Sequence, residues 1–363
     1  MPQHHRDIRG RAPGDKTPER RSRLSRTRRP GAGMIREDAL EAYLTKAFEG
    51  TRLVRVERIG SGAHGTGFSI TFDTPGGRKE YVLKSLDAEG LGHDYPSDRA
   101  AVFLLAFNEY GALPRHVKPL DVLSLQADGS LKSVSGGREY FLLMEKADGV
   151  SYFHDLEQMR HKDGLDGRDR ERILSLVSYL KEIHSVRKES RALYWRKLRD
   201  TIGHGECLMG VFDSYPDGVI SHREMADIEK LCVDWRARLK PLHGRLCQVH
   251  GDFHPGNIWF KDSGEFVLLD RSRGPWGEAA DDVTALTINY IFYSIMYSDR
   301  VEGAFLEALT LFYDAYIGST GDEAILSVVA PFYAFRGAVV ANPAFYPALT
   351  LKQRLAILGL VRN

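Results

Sequence analysis

The run His250-Gly251-Asp252-Phe253-His254-Pro255-Gly256-Asn257 offers a carboxylate and a carboxamide from one tight loop. A second carboxylate, Asp270, closes the apolar strand pattern Glu265-Phe266-Val267-Leu268-Leu269 shortly after it. Phosphoryl transfer asks a protein to orient an acceptor hydroxyl and to hold Mg²⁺ on oxygen ligands, with little covalent chemistry of its own. Asp252 suits the first of these roles, since with a reference pKa of about 3.9 it is ionised at neutral pH and can accept the hydroxyl proton late. Asn257 suits the second without adding charge, and the Asp270 carboxylate can bridge to one or two Mg²⁺ and so hold the β- and γ-phosphates.

Two other readings compete for the loop. One is a Gly/Pro-rich turn with an Asx motif and no chemistry. The other is a metal-dependent hydrolase in which His250, Asp252 and His254 ligate a cation, since alternate residues of an extended segment share a face. The hydrolase reading leaves two upstream features without purpose. His64, His154 and His184 read as turn or packing residues.

The first upstream feature is Gly60-Ser61-Gly62-Ala63-His64-Gly65. Glycines let backbone amides approach phosphate oxygens, and the strand pattern that follows suits a hairpin over ATP phosphates better than a dinucleotide fold, which needs a helix there. An ordinary glycine-rich turn is the plain alternative. The second is Lys84, at the end of Tyr81-Val82-Leu83. Alternation puts it on the face of Val82, where it could meet α- and β-phosphate oxygens as a point charge or simply stay solvated.

Composition sets the frame. A chain of 363 residues with 43% hydrophobic content can bury one large core or two smaller ones. Residues 1–33 hold nine Arg and one Lys against three acids, about +7, so the remainder, 40 basic against 46 acidic, is about −6. That segment lacks apolar periodicity and reads as a disordered, solvated extension ahead of Met34. It is the sole feature that would favour nucleic acid or an anionic membrane, and it has no apolar stretch of the kind a secretory signal needs. The longest apolar run, Ala285–Tyr297, is too short to span a bilayer, so no membrane partner is expected. Cys207, Cys232 and Cys247 show no CxxC spacing, which suggests neither disulfides nor a zinc site, and a reducing cytoplasm is the default. Nothing specifies an oligomeric state.

Helical spacing marks residues 36–48. Strand patterns follow from Leu53 to Leu86, with Phe68-Ser69-Ile70-Thr71-Phe72 alternating and Pro75-Gly76-Gly77 turning a hairpin. Ser97-Asp98 can cap a helix to about Tyr110, and Tyr140–Glu145 reads as a buried strand. Beyond it, helical patterns occupy 169–185, 222–240, 281–298, 301–317, 322–340 and 349–361. The expected fold is α+β and two-lobed, a small β-rich N-lobe over 34–145 and a larger helical C-lobe over 146–363.

With these residues in hand, the chain resembles the aminoglycoside phosphotransferase and choline kinase family, a branch of the protein-kinase-like fold, from about Leu53 to Val283. The resemblance implies ATP and Mg²⁺ as cofactors and transfer of the γ-phosphate to a hydroxyl of an aminoglycoside, choline or sugar-alcohol type of acceptor. Asp252 then looks like the catalytic Asp, Asn257 and Asp270 like the magnesium ligands, and Gly60, Gly62, Gly65 and Lys84 like the phosphate grip. Leu142–Gly149 is similar to the interlobe hinge, which would turn the Glu145 carbonyl and Ala147 amide to the adenine edge with Met144 behind. Asp282-Val283 resembles the pair that buttresses the loop. A nucleotide-binding pseudokinase scaffold is the other class of reading, set against the retention of Lys84, Asp252, Asn257 and Asp270.

Three positions depart from the family pattern. Either Asp98 or Glu109 would have to pair with Lys84. Arg271 and Arg273 follow Asp270, where pairing with Glu278 and Asp281 is favoured over forking onto phosphate oxygens. Residues 186–246 form a long insertion expected over the acceptor side. Its Tyr194, Trp195, His204, Glu206, Asp213, Tyr215 and Asp217 could embrace an acceptor or pack as a cap.

Overall fold

The computed structural model describes residues 35–62, 65–86, 92–109, 118–137, 146–271 and 273–362. The basic segment 1–33, His64, the Tyr140–Glu145 strand pattern and the hinge residues Met144 and Glu145 lie outside the described residues. The chain divides into two compact units, one of Met1–Ala88 with Arg99–Gly136, the other of Glu89–Asp98 with Gly137–Asn363.

In the first unit helix α1 (Glu37–Ala47) precedes an antiparallel sheet of β1 (Arg52–Gly62), β2 (Gly65–Thr74) and β3 (Gly77–Leu86), in that order. The period-2 pattern of β2 sends Ile70 and Phe72 inward against Leu40 and Leu44 of α1, and Phe72 meets the Tyr81 ring edge-on with centroids 5.1 Å apart. Gly60 pairs with Gly67 and Gly62 with Gly65, so these glycines lie at the end of the β1–β2 ladder. At Gly65 the glycine is required by space, because a Cβ there would lie 2.0 Å from the Ser85 carbonyl oxygen on β3. Helix α2 (Pro96–Glu109) and the hairpin of β4 (Leu123–Leu125) and β5 (Leu131–Ser133) follow.

The second unit begins its continuous part with β6 (Val150–Ser151) and helices α3 (Tyr152–Met159) and α4 (Gly167–Ser185). The insertion folds as α5 (Arg191–Gly203), α6 (Leu208–Asp213) and α7 (His222–Leu239). Short strands β7 (Cys247–Gln248), β8 (Ile258–Phe260), β9 (Phe266–Leu268) and β10 (Trp276–Gly277) frame the loop segments, and α8 (Ala279–Ser298), α9 (Gly303–Thr320), α10 (Ala330–Ala341) and α11 (Leu351–Arg362) complete the chain. Capping boxes set two helix starts: Asp166 with Asp169 at α4, and Ser221 with Glu224 at α7.

The centre of this unit is α8, buried on nearly every side from Ala279 to Ile295, as an all-round apolar helix must be. Its polar Thr284, Thr287 and Asn289 return hydrogen bonds to carbonyls one turn back, at Ala280, Val283 and Ala285. Among the described residues no helix is long and apolar enough to cross a membrane. Cys207, Cys232 and Cys247 are buried free thiols. One helical expectation needs correction: 322–340 is a 3₁₀ turn, Glu323–Ser327, followed by a separate helix, α10. Pro331 explains the break, since it lacks an N–H and is tolerated only in a first turn, where it sits here.

Candidate active site

The loop after β7 is held from behind by one carboxylate. Asp282, fully buried in the first turn of α8, accepts the backbone N–H groups of His250 and Gly251, both at 2.7 Å. His184 on α4 lies 3.2 Å from the same carboxylate through Nε2, while its Nδ1 is 2.8 Å from the Tyr316 hydroxyl on α9. Gly251 takes φ +88°, a left-handed turn that permits both amides to face Asp282. Asp282 is thus the buttress that its likeness to the family pair implies.

The two loop histidines turn onto their own backbone. His250 Nδ1 accepts the Asp252 N–H at 3.3 Å, and His254 Nδ1 accepts the Gly256 N–H at 3.1 Å. His254 Nε2 stays 4.0 Å from Asp252, and burial pushes the His254 pKa down, which favours the neutral ring. Among the described residues no three His, Cys, Asp or Glu side chains stand together as metal ligands, so His250, Asp252 and His254 do not form the cluster a hydrolase would need.

The two oxygen-bearing candidates, Asn257 and Asp270, are linked through the backbone instead. Asn257 ends a 3₁₀ turn, Pro255–Asn257, and donates its Nδ2 to the Asp252 carbonyl at 3.1 Å, which turns its Oδ1 the other way. The Asn257 carbonyl accepts the Leu269 N–H at 2.9 Å, bringing the next residue, Asp270, alongside. Asp270 is exposed and adopts φ +53°, one of two non-glycine residues with positive φ among those described. Left-handed backbone at a residue with a Cβ costs of order 1 kcal/mol and is held where the surroundings demand it. A carboxamide oxygen and an exposed carboxylate are hard-oxygen donors of the kind Mg²⁺ takes.

Asp252 itself is buried, and its Oδ1 is gripped by Arg336 Nη1 and, at 3.1 Å, by Arg273 Nη1. Burial alone would raise its pKa, but the two guanidiniums more than offset that and hold the carboxyl below the usual range. Arg336 also donates to Asp281, which pairs with Lys197 on α5. The expected pairing of Arg271 and Arg273 with Glu278 and Asp281 is therefore wrong. Arg271 donates to the Val249 carbonyl at 3.1 and 3.0 Å, and Arg273 goes to Asp252 with Glu206 3.8 Å away. Glu278 is taken by Arg245 at 2.8 Å and by the Tyr194 hydroxyl at 2.8 Å. The nearer sequence neighbours lose because α8 buries both acids against the insertion.

The other candidates are placed as follows. Lys84 is exposed on β3 beside Val82, itself 64% exposed, and Ala147 is half-buried. Asp98 is engaged by Arg196, whose Nη2 reaches it at 2.9 Å, while Glu109 ends α2. In the insertion, Tyr194 is a core residue, Trp195 donates to the Lys240 carbonyl at 2.9 Å and Tyr215 to that of Ala338 at 2.6 Å. These three are packing groups. Asp213 and Asp217 line a separate open cavity of about 380 Å³, and His204 accepts the Glu206 N–H at 3.2 Å. Glu206 alone of the set stands beside Arg273. Sequence reasoning missed Arg336 and Lys197; for Arg336 the one available signal is a lone charge set in the apolar run Phe335-Arg336-Gly337-Ala338, and for Lys197 there is none.

The sequence model of the phosphotransferase enzyme family matches residues 55–314. The chain belongs to that family. Its fold is α+β, with small antiparallel sheets and a mostly helical second unit. No curated protein sequence matches it. Among solved structures, the phosphotransferase is similar to a thermostable mutant of an aminoglycoside phosphotransferase in its apo form. That pair shares 15% identity, covering 88% of this chain and 98% of the other, with a TM-score of 0.37. It is similar to a glucosamine kinase at 14% identity, covering 91% and 99%, TM-score 0.38. A third is an amicoumacin kinase in complex with AMP-PNP, Ca²⁺ and its ligand, at 14% identity, covering 90% and 92%, TM-score 0.37. At these values the assignment rests on the family match.

Proposed function

We propose that the phosphotransferase uses ATP and Mg²⁺ to phosphorylate a hydroxyl of a small molecule of aminoglycoside, amino-alcohol or sugar-alcohol type. What supports this reading is the double tie at Asn257, its side chain to the Asp252 carbonyl and its own carbonyl to the N–H of Leu269, the neighbour of Asp270. Asn257 Oδ1 and the Asp270 carboxylate would hold the metal, which when bound neutralises charge on the β- and γ-phosphates. Lys84 and the glycine run Gly60–Gly65 would meet phosphate oxygens, and Ala147, with Met144 and Glu145, the adenine. Asp252 orients the acceptor: its hydroxyl oxygen bonds to the γ-phosphorus as the bond to the β–γ bridging oxygen breaks, ADP leaves with that electron pair, and the hydroxyl proton passes to Asp252.

A depressed carboxyl is a weak base, which suits a loose transition state in which the proton moves late. The test combines calorimetry of ATP binding with and without Mg²⁺ and an ADP-release screen across alcohols, amino sugars and aminoglycosides. Asp252→Ala should abolish transfer while ATP affinity is kept. Loss of both together would show that Asp252 is structural.

A further inference from the structure

Arg336 lies on α10, beyond residue 314 where the family match ends, and 84 positions from Asp252 in the chain. Its guanidinium nonetheless serves three acceptors of the site. Nη1 is on Asp252 Oδ1, and Nη2 donates to the Gly251 carbonyl at 3.0 Å and to Asp281 Oδ1 at 2.9 Å. Its plane lies over the Phe335 ring, 4.5 Å from the centroid, and the side chain is 5% exposed. Asp252 Oδ1 also takes Arg273, so one carboxylate oxygen has two cationic donors. Its Oδ2 has only His254 Nε2, at 4.0 Å and outside hydrogen-bonding reach, among the described residues.

This asymmetry is more than packing needs. A buried guanidinium carries a desolvation penalty, and Arg336 Nε is left with no hydrogen bond, so an apolar side chain of similar volume would fill α10 at lower cost. A planar fork can grip a carboxylate, a carbonyl and a second carboxylate at once, whereas an ammonium is a single point.

We propose that Arg336 is a positioning residue for phosphoryl transfer. By saturating Oδ1 of Asp252 and pinning the Gly251 carbonyl, it locks the carboxylate rotamer so that Oδ2 alone is presented to the acceptor hydroxyl. The inference rests on the reading of Asp252 as the group that receives that hydroxyl.

The experiment compares Arg336→Lys, Arg336→Ala and Asp252→Asn in the full chain, measuring ADP release from ATP and Mg²⁺ with water as the acceptor. Arg336→Lys should lower kcat by about 100-fold, the scale of a misplacement of about 1 Å, with the KM for ATP within about twofold. Arg336→Ala should lose at least as much and regain part of it with added methylguanidine. Wild-type kcat in Arg336→Lys overturns the proposal, as does a joint loss of kcat and ATP affinity without guanidinium rescue. If Arg336→Lys does not fold, Asp281→Asn loosens the second hold on Arg336, and the same kcat loss at constant KM is expected, an unchanged kcat being fatal. Activity retained in Asp252→Asn would strike the underlying reading of Asp252 first, and the inference with it.

Discussion

Asp282→Ala should be the most damaging single change to the loop His250–Asn257 that touches no candidate ligand. The carboxylate is fully buried, takes two backbone N–H groups at 2.7 Å and contacts His184. Each buried N–H left without a partner costs about 1–3 kcal/mol, and loss of the imidazole contact adds to it, giving a destabilisation of about 3–5 kcal/mol. For a unit of this size each kcal/mol lowers the melting temperature by about 2–4 °C, so a fall on the order of 10 °C is expected. Asp282→Asn should fall between, because one amide oxygen can still accept while its NH₂ opposes the other N–H. Calorimetry of both variants, paired with ADP release, is the assay. If Asp282→Ala melts within about 2 °C of the parent, the two short hydrogen bonds contribute far less than a lost pair must, and the buttress argument is wrong.

Asp270→Ala should weaken ATP binding in the presence of Mg²⁺ and leave metal-free binding alone; an unchanged magnesium response in calorimetry would remove it as a ligand. Gly65→Ala should cost at least about 1–3 kcal/mol in a urea melt, because its Cβ meets the Ser85 carbonyl and β3 must yield. Acid should loosen the site through Asp281. Burial pushes its carboxyl up, but Lys197 and Arg336 hold it down to about 2. Depressed below its unfolded value of about 3.9, it stabilises fully above that pH and progressively less as pH falls towards about 2. Urea midpoints should fall over that window, with a shallower slope in Asp281→Asn; equal slopes would contradict the assignment.

Local chemistry is legible in the chain. The β2–β3 hairpin follows from alternation around a Pro-Gly-Gly turn, and α4 and α7 from helical spacing behind capping residues. The loop can be read because Asp252 and Asn257 are five positions apart and their geometry is set by a short turn. What stays hidden depends on distant segments meeting. Glu278 and Asp281 are the nearest following acids to Arg271 and Arg273 in the chain, yet they face α5, Arg245 and α10, which no local pattern reveals. Arg336 is invisible for the same reason, and the Pro331 break is masked by helical spacing on either side of it. The insertion's aromatics are ambiguous because Tyr and Trp serve packing and recognition with the same atoms.

All three cysteines of the chain fall between residues 207 and 247, so the unit that holds the glycine hairpin contains none. Each is buried, and burial raises all three thiols, Cys232 to about 12. As thiolates are the reactive form, the folded enzyme should ignore thiol reagents at neutral pH. Labelling then clocks the opening of the helical unit alone, and Cys247, at the root of the loop that carries Asp252, becomes a built-in reporter of how often that loop's foundation comes apart.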